Sequence, residues 1–235
     1  MIPIRTESAW KGTADCRNCG IRDLVLFADL NEQDFSQIHA PIDDLEYAQG
    51  AALYGEGSLT QGIYTLRSGM IKLVRITLDG RSRIVRVLRT GDVVGLEALA
   101  SDRYDSDAIA LTPVSVCRIP LEVIQKLSAN SPRIHAQLMQ KWQRALKEAD
   151  DWLADMNFGV ARQRVGNLIL KMRSPTNRDV SMVFSREDMG AMLDLKLETV
   201  SREVSRLVRL GAITPLDKQG RIYKVVHPEL IQSSS

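Results

Sequence analysis

The chain has 235 residues, 44% of them hydrophobic and 26% charged, with 31 basic and 29 acidic side chains. That is the profile of an ordinary soluble chain with room for two domains, and it excludes collagen-like and extensively disordered classes. No apolar run approaches the length of a membrane span, and the stretch from Met1 to Trp10 lacks the apolar core of a signal peptide, so the expected compartment is the cytoplasm.

The charge is unevenly placed. Residues 158–235 carry 13 basic against 8 acidic side chains, while residues 1–157 carry 18 against 21. A basic surplus confined to one end marks where a polyanion would be met. The three cysteines, Cys16, Cys19 and Cys117, are an odd number, which argues against a structural disulfide framework in a reducing compartment.

In chain order, residues 1–26 form an N-terminal segment holding Cys16-Arg17-Asn18-Cys19. A β-rich domain is expected over 27–131. From Tyr47 to Arg118 it consists of short β segments punctuated by Gly50, Gly55, Gly57, Gly62, Gly69, Gly80, Gly91 and Gly95. Runs at 63–66 and 71–76 flank a Ser68-Gly69 turn, and Leu78-Asp79-Gly80-Arg81 marks a hairpin tip before 82–88. Regular strands with turn residues between them predict an antiparallel sandwich or barrel.

Ser131-Pro132 then caps and opens a long helix running to about Asn157. Leu138, Trp142, Ala145, Ala149, Trp152 and Met156 recur at spacings of 4, 3, 4, 3 and 4, the pattern of a coiled-coil seam, and are the expected dimerisation residues. Met139, Leu146 and Leu153, seven apart, form a second stripe suited to packing on the β domain.

Residues 158–235 complete the chain. Ser185 starts a short helix with Asp188 three residues on, and Met189, Met192 and Leu193 form its apolar stripe. Gly190 is small where a neighbouring helix could cross closely. A second helix follows, with Leu197, Val200, Val204, Leu207 and Val208 on one face and Glu198, Ser201 and Arg202 outward, ending at Gly211. Two extended runs around Gly220 then predict a hairpin, which makes the unit a winged helix-turn-helix. An arginine matches the O6/N7 edge of guanine, a glutamate accepts from cytosine N4, and a serine serves either base. The expected DNA-contacting set is therefore Glu198, Ser201 and Arg202, with Thr199, Lys196, Ser185 and Arg186 beside them and Lys218 and Arg221 in the wing. A single such helix covers few base pairs, whereas a dimer places two about 34 Å apart on an inverted repeat.

The segments Gly50 to Gly57, Leu66 to Leu73 and Gly91 to Leu99, followed by the long helix and the winged helix, resemble the Crp/Fnr family of transcription regulators over nearly the whole chain. The resemblance implies an α+β chain: an N-terminal antiparallel β-roll of the cyclic-nucleotide-binding type, a long dimerisation helix over 132–157 and a C-terminal winged helix-turn-helix. Glu198-Thr199-Val200-Ser201-Arg202 is similar to the Glu-x-x-Ser-Arg pattern of the Fnr branch, which implies a TTGAT-like half-site. RNA polymerase is an implied partner, with the tip at Asp79-Gly80-Arg81 as a candidate contact.

In the cyclic-nucleotide branch, a Gly-Glu pair and a downstream Arg-Ser pair hold the ribose and phosphate. Here the corresponding pairs are Gly95-Leu96 and Ser106-Asp107, with Asp102 and Asp105 nearby. A phosphate would lose its guanidinium fork and face carboxylates, which argues against cyclic AMP and leaves a cyclic-nucleotide- or small-ligand-responsive regulator as an alternative. The Fnr branch instead binds an oxygen-labile [4Fe–4S] cluster through four cysteines. Cys16, Cys19 and Cys117 match three of them, and Val25 stands at the fourth, where it cannot coordinate metal.

Three readings of the sensor follow. A cluster is held by three thiolates and a substitute from Asp15, Asp23 or His39; or the thiols switch by disulfide formation; or the regulator works without a cofactor, Cys117 being a small buried hydrophobe. An enzyme of the thiol-oxidoreductase kind is not expected, because its CxxC opens a helix in a βαβ unit and no such unit follows Cys19.

Overall fold

The computed structural model describes residues 42–156, 158–174 and 176–232. The chain divides into two compact units, one reaching to Arg75 and resuming over Val85–Leu146, the other made of Ile76–Ile84 and the chain from Lys147 onward. The expected N-terminal segment 1–26 lies outside the described residues.

The first unit is built from β1 (Asp43–Tyr47), β2 (Ala52–Tyr54), β3 (Gly62–Ser68), β4 (Met70–Ile76), β5 (Ser82–Arg89), β6 (Val93–Val94), β7 (Asp107–Ala110) and β8 (Val114–Pro120). They form two four-stranded sheets, ordered β1-β8-β3-β6 and β2-β7-β4-β5. The Ser68-Gly69 turn therefore carries the chain from one sheet to the other, so the strands on either side of it are not a hairpin pair. Ile63, Leu66, Ile71, Val94 and Val116, all below 1% exposed, fill the interior. Each buried aliphatic side chain of this size contributes about 1.5–3 kcal/mol. Cross-strand pairs hold the outer register: Asp43 lies opposite Arg118 and pairs with it at 2.6 Å, and Asp44 forms an ion pair with Arg67. Helix α1 (Leu121–Asn130) closes the roll with Val123, Ile124 and Leu127.

Helix α2 (Pro132–Met156) is continuous, as the Ser131-Pro132 start predicts. Its division into faces differs from the expectation. Ile134, Leu138 and Ala145 pack on the core of the roll, and Lys141 donates from Nζ to the Gly91 carbonyl at 3.0 Å. Met156 is buried in the second unit, where the Lys171 ammonium also sits 5.4 Å from the centre of the half-buried Trp152 ring. Met139, Leu146 and Leu153, expected to pack on the roll, are 50%, 65% and 57% exposed, and Trp142 is exposed beside them. The reason lies in the sequence itself. Two 3-4 patterns overlap with an offset of one residue and share Trp142 and Ala149, and periodicity does not tell which faces inward.

The second unit contains α3 (Ala161–Lys171), β9 (Val180–Met182), α4 (Arg186–Leu193), α5 (Leu197–Arg209), β10 (Ile213–Pro215), β11 (Ile222–Val225) and α6 (Pro228–Gln232). Its sheet is ordered β10-β11-β9, so the predicted hairpin gains a third strand from 180–182, just before α4. Val165, Leu168 and Ile169 of α3 are fully buried, as are Met189, Leu193, Val200 and Leu207 from α4 and α5. Among the described residues no helix is long and apolar enough to cross a membrane.

Candidate nucleic-acid interface

The reader is assembled by local rules. Ser185 caps α4: its hydroxyl accepts from the Asp188 amide at 3.0 Å and donates to the Asp188 carboxylate at 2.9 Å. Helix α4 buries Met189, Met192 and Leu193 and ends at Asp194, whose φ of 52° places it in the left-handed region. Aspartate tolerates that region better than most side chains. Within the same unit, the Asp194 carboxylate pairs with Arg83 at 2.5 Å. Gly190 is needed by the turn rather than by a crossing helix: a Cβ there would stand 2.6 Å from the Leu195 carbonyl oxygen. The Leu195 amide donates back to the Gly190 carbonyl, which closes the turn between the helices.

Helix α5 stops in a Schellman arrangement. The Gly211 amide donates to the Val208 carbonyl and the Ala212 amide to the Leu207 carbonyl, with Gly211 at φ 70°. Val200, Val204 and Leu207 form the buried face, as expected. Leu197, expected to be buried, is 41% exposed at the first turn, and Val208 is only half-buried. The fourth buried residue of α5 is Glu203, at 9% exposure. Periodicity predicts apolar side chains on this face and does not anticipate a carboxylate.

The outward face carries Glu198 and the Arg202 side chain, the latter 69% exposed, with Ser201 and Thr199 half-buried between them. Lys196 is exposed at the N-cap. Arg206 and Arg209, absent from the expected set, are also exposed and extend the basic edge into the last turn of α5. Their spacing, four and seven residues after Arg202, is the signal in the sequence that would have found them on the same side.

The flanking residues divide into engaged and open groups. The Ser185 hydroxyl is taken up by its cap. Arg186 donates from Nη2 to the Tyr223 hydroxyl at 2.5 Å, and its guanidinium lies 5.8 Å from the centre of that ring, tying α4 to β11. In the wing, Lys218 and Arg221 are exposed. The Asp217 carboxylate shapes the turn that presents them, accepting from the Ile222 and Arg221 amides at 2.8 and 2.9 Å. Those backbone donors hold its carboxyl below the usual carboxylate range.

In the roll, Cys117 lies on β8 in register with Asp44 and Thr65 and is 8% exposed within the core cluster. Cys16, Cys19, Asp15, Asp23, Val25 and His39 lie outside the described residues. Among the described residues, no three histidine, cysteine or acidic side chains gather in a way that would hold a metal ion.

The segment that would hold a cyclic nucleotide is built differently from a phosphate cradle. Tyr54 and Tyr104 stack with ring centres 3.7 Å apart and planes 10° from parallel, and both are buried. The Tyr104 hydroxyl donates to the Gly62 carbonyl at 2.7 Å, and the Tyr54 hydroxyl faces Glu97 at 3.5 Å. Ser106 is 4% exposed, and the Asp107 carboxylate accepts from the Glu56 amide at 2.7 Å. Arg103, the arginine of this segment, donates to the Gly57 carbonyl. Carboxylates and stacked rings do not fit an anionic ribose phosphate. Burial drives the Tyr54 and Tyr64 hydroxyls well above the usual tyrosine range, Glu97 adding to the shift at Tyr54 and Tyr104 to that at Tyr64.

Comparison with known proteins agrees with this architecture. Residues 44–131 match the cyclic nucleotide-binding domain, and residues 163–232 match the Crp-like helix-turn-helix domain. The chain is 30% identical over 224 residues to the fumarate and nitrate reduction regulatory protein of Salmonella typhi, covering 91% of this chain and 90% of that protein. It is 28% identical over 206 residues to the anaerobic regulatory protein of Pasteurella multocida, covering 85% and 76%. The solved structure of FixK2 from Bradyrhizobium japonicum has the same fold, with a TM-score of 0.73 at 23% identity over 82% of this chain and 96% of that one. With a β-roll, a long helix and a winged helix-turn-helix in the family's order, the chain belongs to the Crp/Fnr family of DNA-binding transcription regulators, which are not enzymes.

Proposed function

We propose that the protein is a cytoplasmic homodimer that reads a TTGAT-like inverted repeat and responds to oxygen or redox state. The observation that carries the DNA part is the two-faced α5: Val200, Val204 and Leu207 anchor it, while Glu198 and Arg202 stand outward. On this reading Arg202 bonds guanine, Glu198 the paired cytosine, and Ser201 an adjacent base or phosphate. Lys196, Lys218 and Arg221 meet phosphates, and Thr199 lines the same approach. Ser185 and Arg186 support the reader through the cap and the tie to Tyr223. Met139, Trp142, Leu146 and Leu153 supply the dimer seam, with Ala149 between them. The hairpin tip at Asp79-Gly80-Arg81 is the proposed contact with RNA polymerase.

The redox part rests on the 30% identity to the fumarate and nitrate reduction regulatory protein and on three cysteines that match the Fnr ligand pattern. Cys16, Cys19 and Cys117 would hold a [4Fe–4S] cluster, with Asp15, Asp23 or His39 in place of the fourth thiolate. Such a cluster supplies oxygen-labile chemistry when bound. A second reading, regulation without a cofactor, is favoured by the burial of Cys117 in the core of the roll.

The test is to purify the protein without oxygen, assay iron and acid-labile sulfide, and titrate a duplex carrying the repeat before and after exposure to air. Iron with sulfide and binding lost in air support the sensor. Absence of both iron and air sensitivity leaves the cofactor-independent regulator. Equal affinity for a scrambled duplex would overturn the DNA assignment itself.

A further inference from the structure

We infer that Glu203 is a positioning residue for Arg202 and, through it, a determinant of sequence discrimination. The inference rests on the reading in which Arg202 contacts a base. Glu203 occupies the inward face of α5 with Val200, Val204 and Leu207, and its side chain is only 12% exposed. A carboxylate there gives up most of its hydration, which is costly unless a cation or donor compensates. Its Oε2 is buried and meets no hydrogen-bond partner among the described residues. Its Oε1 lies 3.5 Å from Nε of Arg202, whose own side chain is 69% exposed.

Adjacent residues on a helix do not face one another. The 3.5 Å approach of the two side chains is therefore a specific ion-pair contact and not the result of sharing a helix face. This geometry selects one end of the guanidinium. Arginine has five N–H donors, one on Nε and four on the two Nη atoms. With Nε the guanidinium nitrogen nearest Glu203, the Nη atoms remain available for the guanine O6/N7 edge. An exposed arginine samples many rotamers, and a contact that restrains it before DNA arrives lowers the ordering cost on binding. A leucine at 203 would pack the same face and leave Arg202 unrestrained.

The experiment measures binding of the full-length protein to a duplex with the TTGAT-like repeat and to one with the guanine replaced in both half-sites. The variants are Glu203→Leu, Glu203→Gln, Arg202→Ala and the double variant Arg202→Ala/Glu203→Leu. Glu203→Leu should reduce discrimination between the duplexes by roughly tenfold, with Tm and affinity for unrelated DNA unchanged. Glu203→Gln, which keeps an acceptor at Oε1, should recover part of that loss. In the Arg202→Ala background, Glu203→Leu should have no further effect on discrimination. The positioning role is overturned if Glu203→Leu discriminates like the parent, or if its effect persists without Arg202. If Arg202→Ala leaves discrimination intact, the base-reading assignment fails first, a result distinct from failure of Glu203 alone.

Discussion

The guanidinium of Arg186 and the hydroxyl of Tyr223 meet at 2.5 Å, with the cation 5.8 Å from the centre of the same ring. One residue opens the first reader helix and the other lies in the second strand of the wing, so this contact fixes the wing against the helix-turn-helix. Gly220, at φ 64° in the wing turn, leaves no room for more: a Cβ there would stand 3.0 Å from the Tyr223 hydroxyl and 3.4 Å from Arg186 Nη2. Tyr223→Phe should lower stability by about 1.5–3 kcal/mol, the range for a hydrogen bond to a charged group. Urea unfolding followed by circular dichroism checks it, and Gly220→Ala should cost at least as much through backbone strain added to crowding.

Base and phosphate contacts separate in their salt dependence. Arg202→Ala should cost about 1–3 kcal/mol of specific affinity and relax preference at one position of the half-site. Lys218→Ala or Arg221→Ala should weaken all sequences alike and reduce the slope of log affinity against log salt by about one. Anisotropy titrations over a salt series distinguish the two patterns.

The two stripes of α2 predict opposite phenotypes. Leu146, 65% exposed, should tolerate Leu146→Glu within the fold but give a monomer with weak affinity for the inverted repeat. Leu138, 4% exposed against the roll, should lose about 2–5 kcal/mol of stability as Leu138→Ala, whatever the oligomeric state. Sedimentation equilibrium and thermal melts read the two effects.

The buried tyrosines set an alkaline limit. The hydroxyls of Tyr54 and Tyr64 titrate above their usual value of 10.0, because burial disfavours the phenolate. The folded state therefore holds these protons more tightly than the unfolded chain. The stability they contribute is fully present below pH 10 and falls as pH rises above it, by about 1.4 kcal/mol per pH unit for each tyrosine. Tm measured from pH 8 to 11.5 should drop steeply past 10. In a Tyr54→Phe variant the drop should be shallower.

Much of the reader was legible in the chain. The Ser185 cap, the inward Met189, Met192 and Leu193, the outward Glu198 and Arg202, and the Gly211 stop follow from period, capping and glycine chemistry. These are local rules, satisfied within one or two helical turns. Two elements of the same domain were not legible. Strand β9 has three residues and owes its place in the sheet to β11, some 40 positions later, with a single bridge from Ser181 to Arg173 on its other edge, and α3 precedes the motif without a distinctive signal of its own.

By itself the sequence determined the order of domains, the helical period of α2 and the polar face of α5, because each depends on spacing between near neighbours. The tertiary structure decided which stripe of α2 faces the roll, since two interleaved 3-4 patterns sharing Trp142 and Ala149 are equivalent until one side has something to pack against. It decided that Ser68-Gly69 joins two sheets rather than two paired strands, because strand pairing is settled by partners far away in the chain. It also decided that Glu203 is buried beside Arg202 and that Tyr54 stacks on Tyr104. Burial of a carboxylate and stacking of rings 50 residues apart are properties of the assembled core, and the order of residues along the chain does not express them.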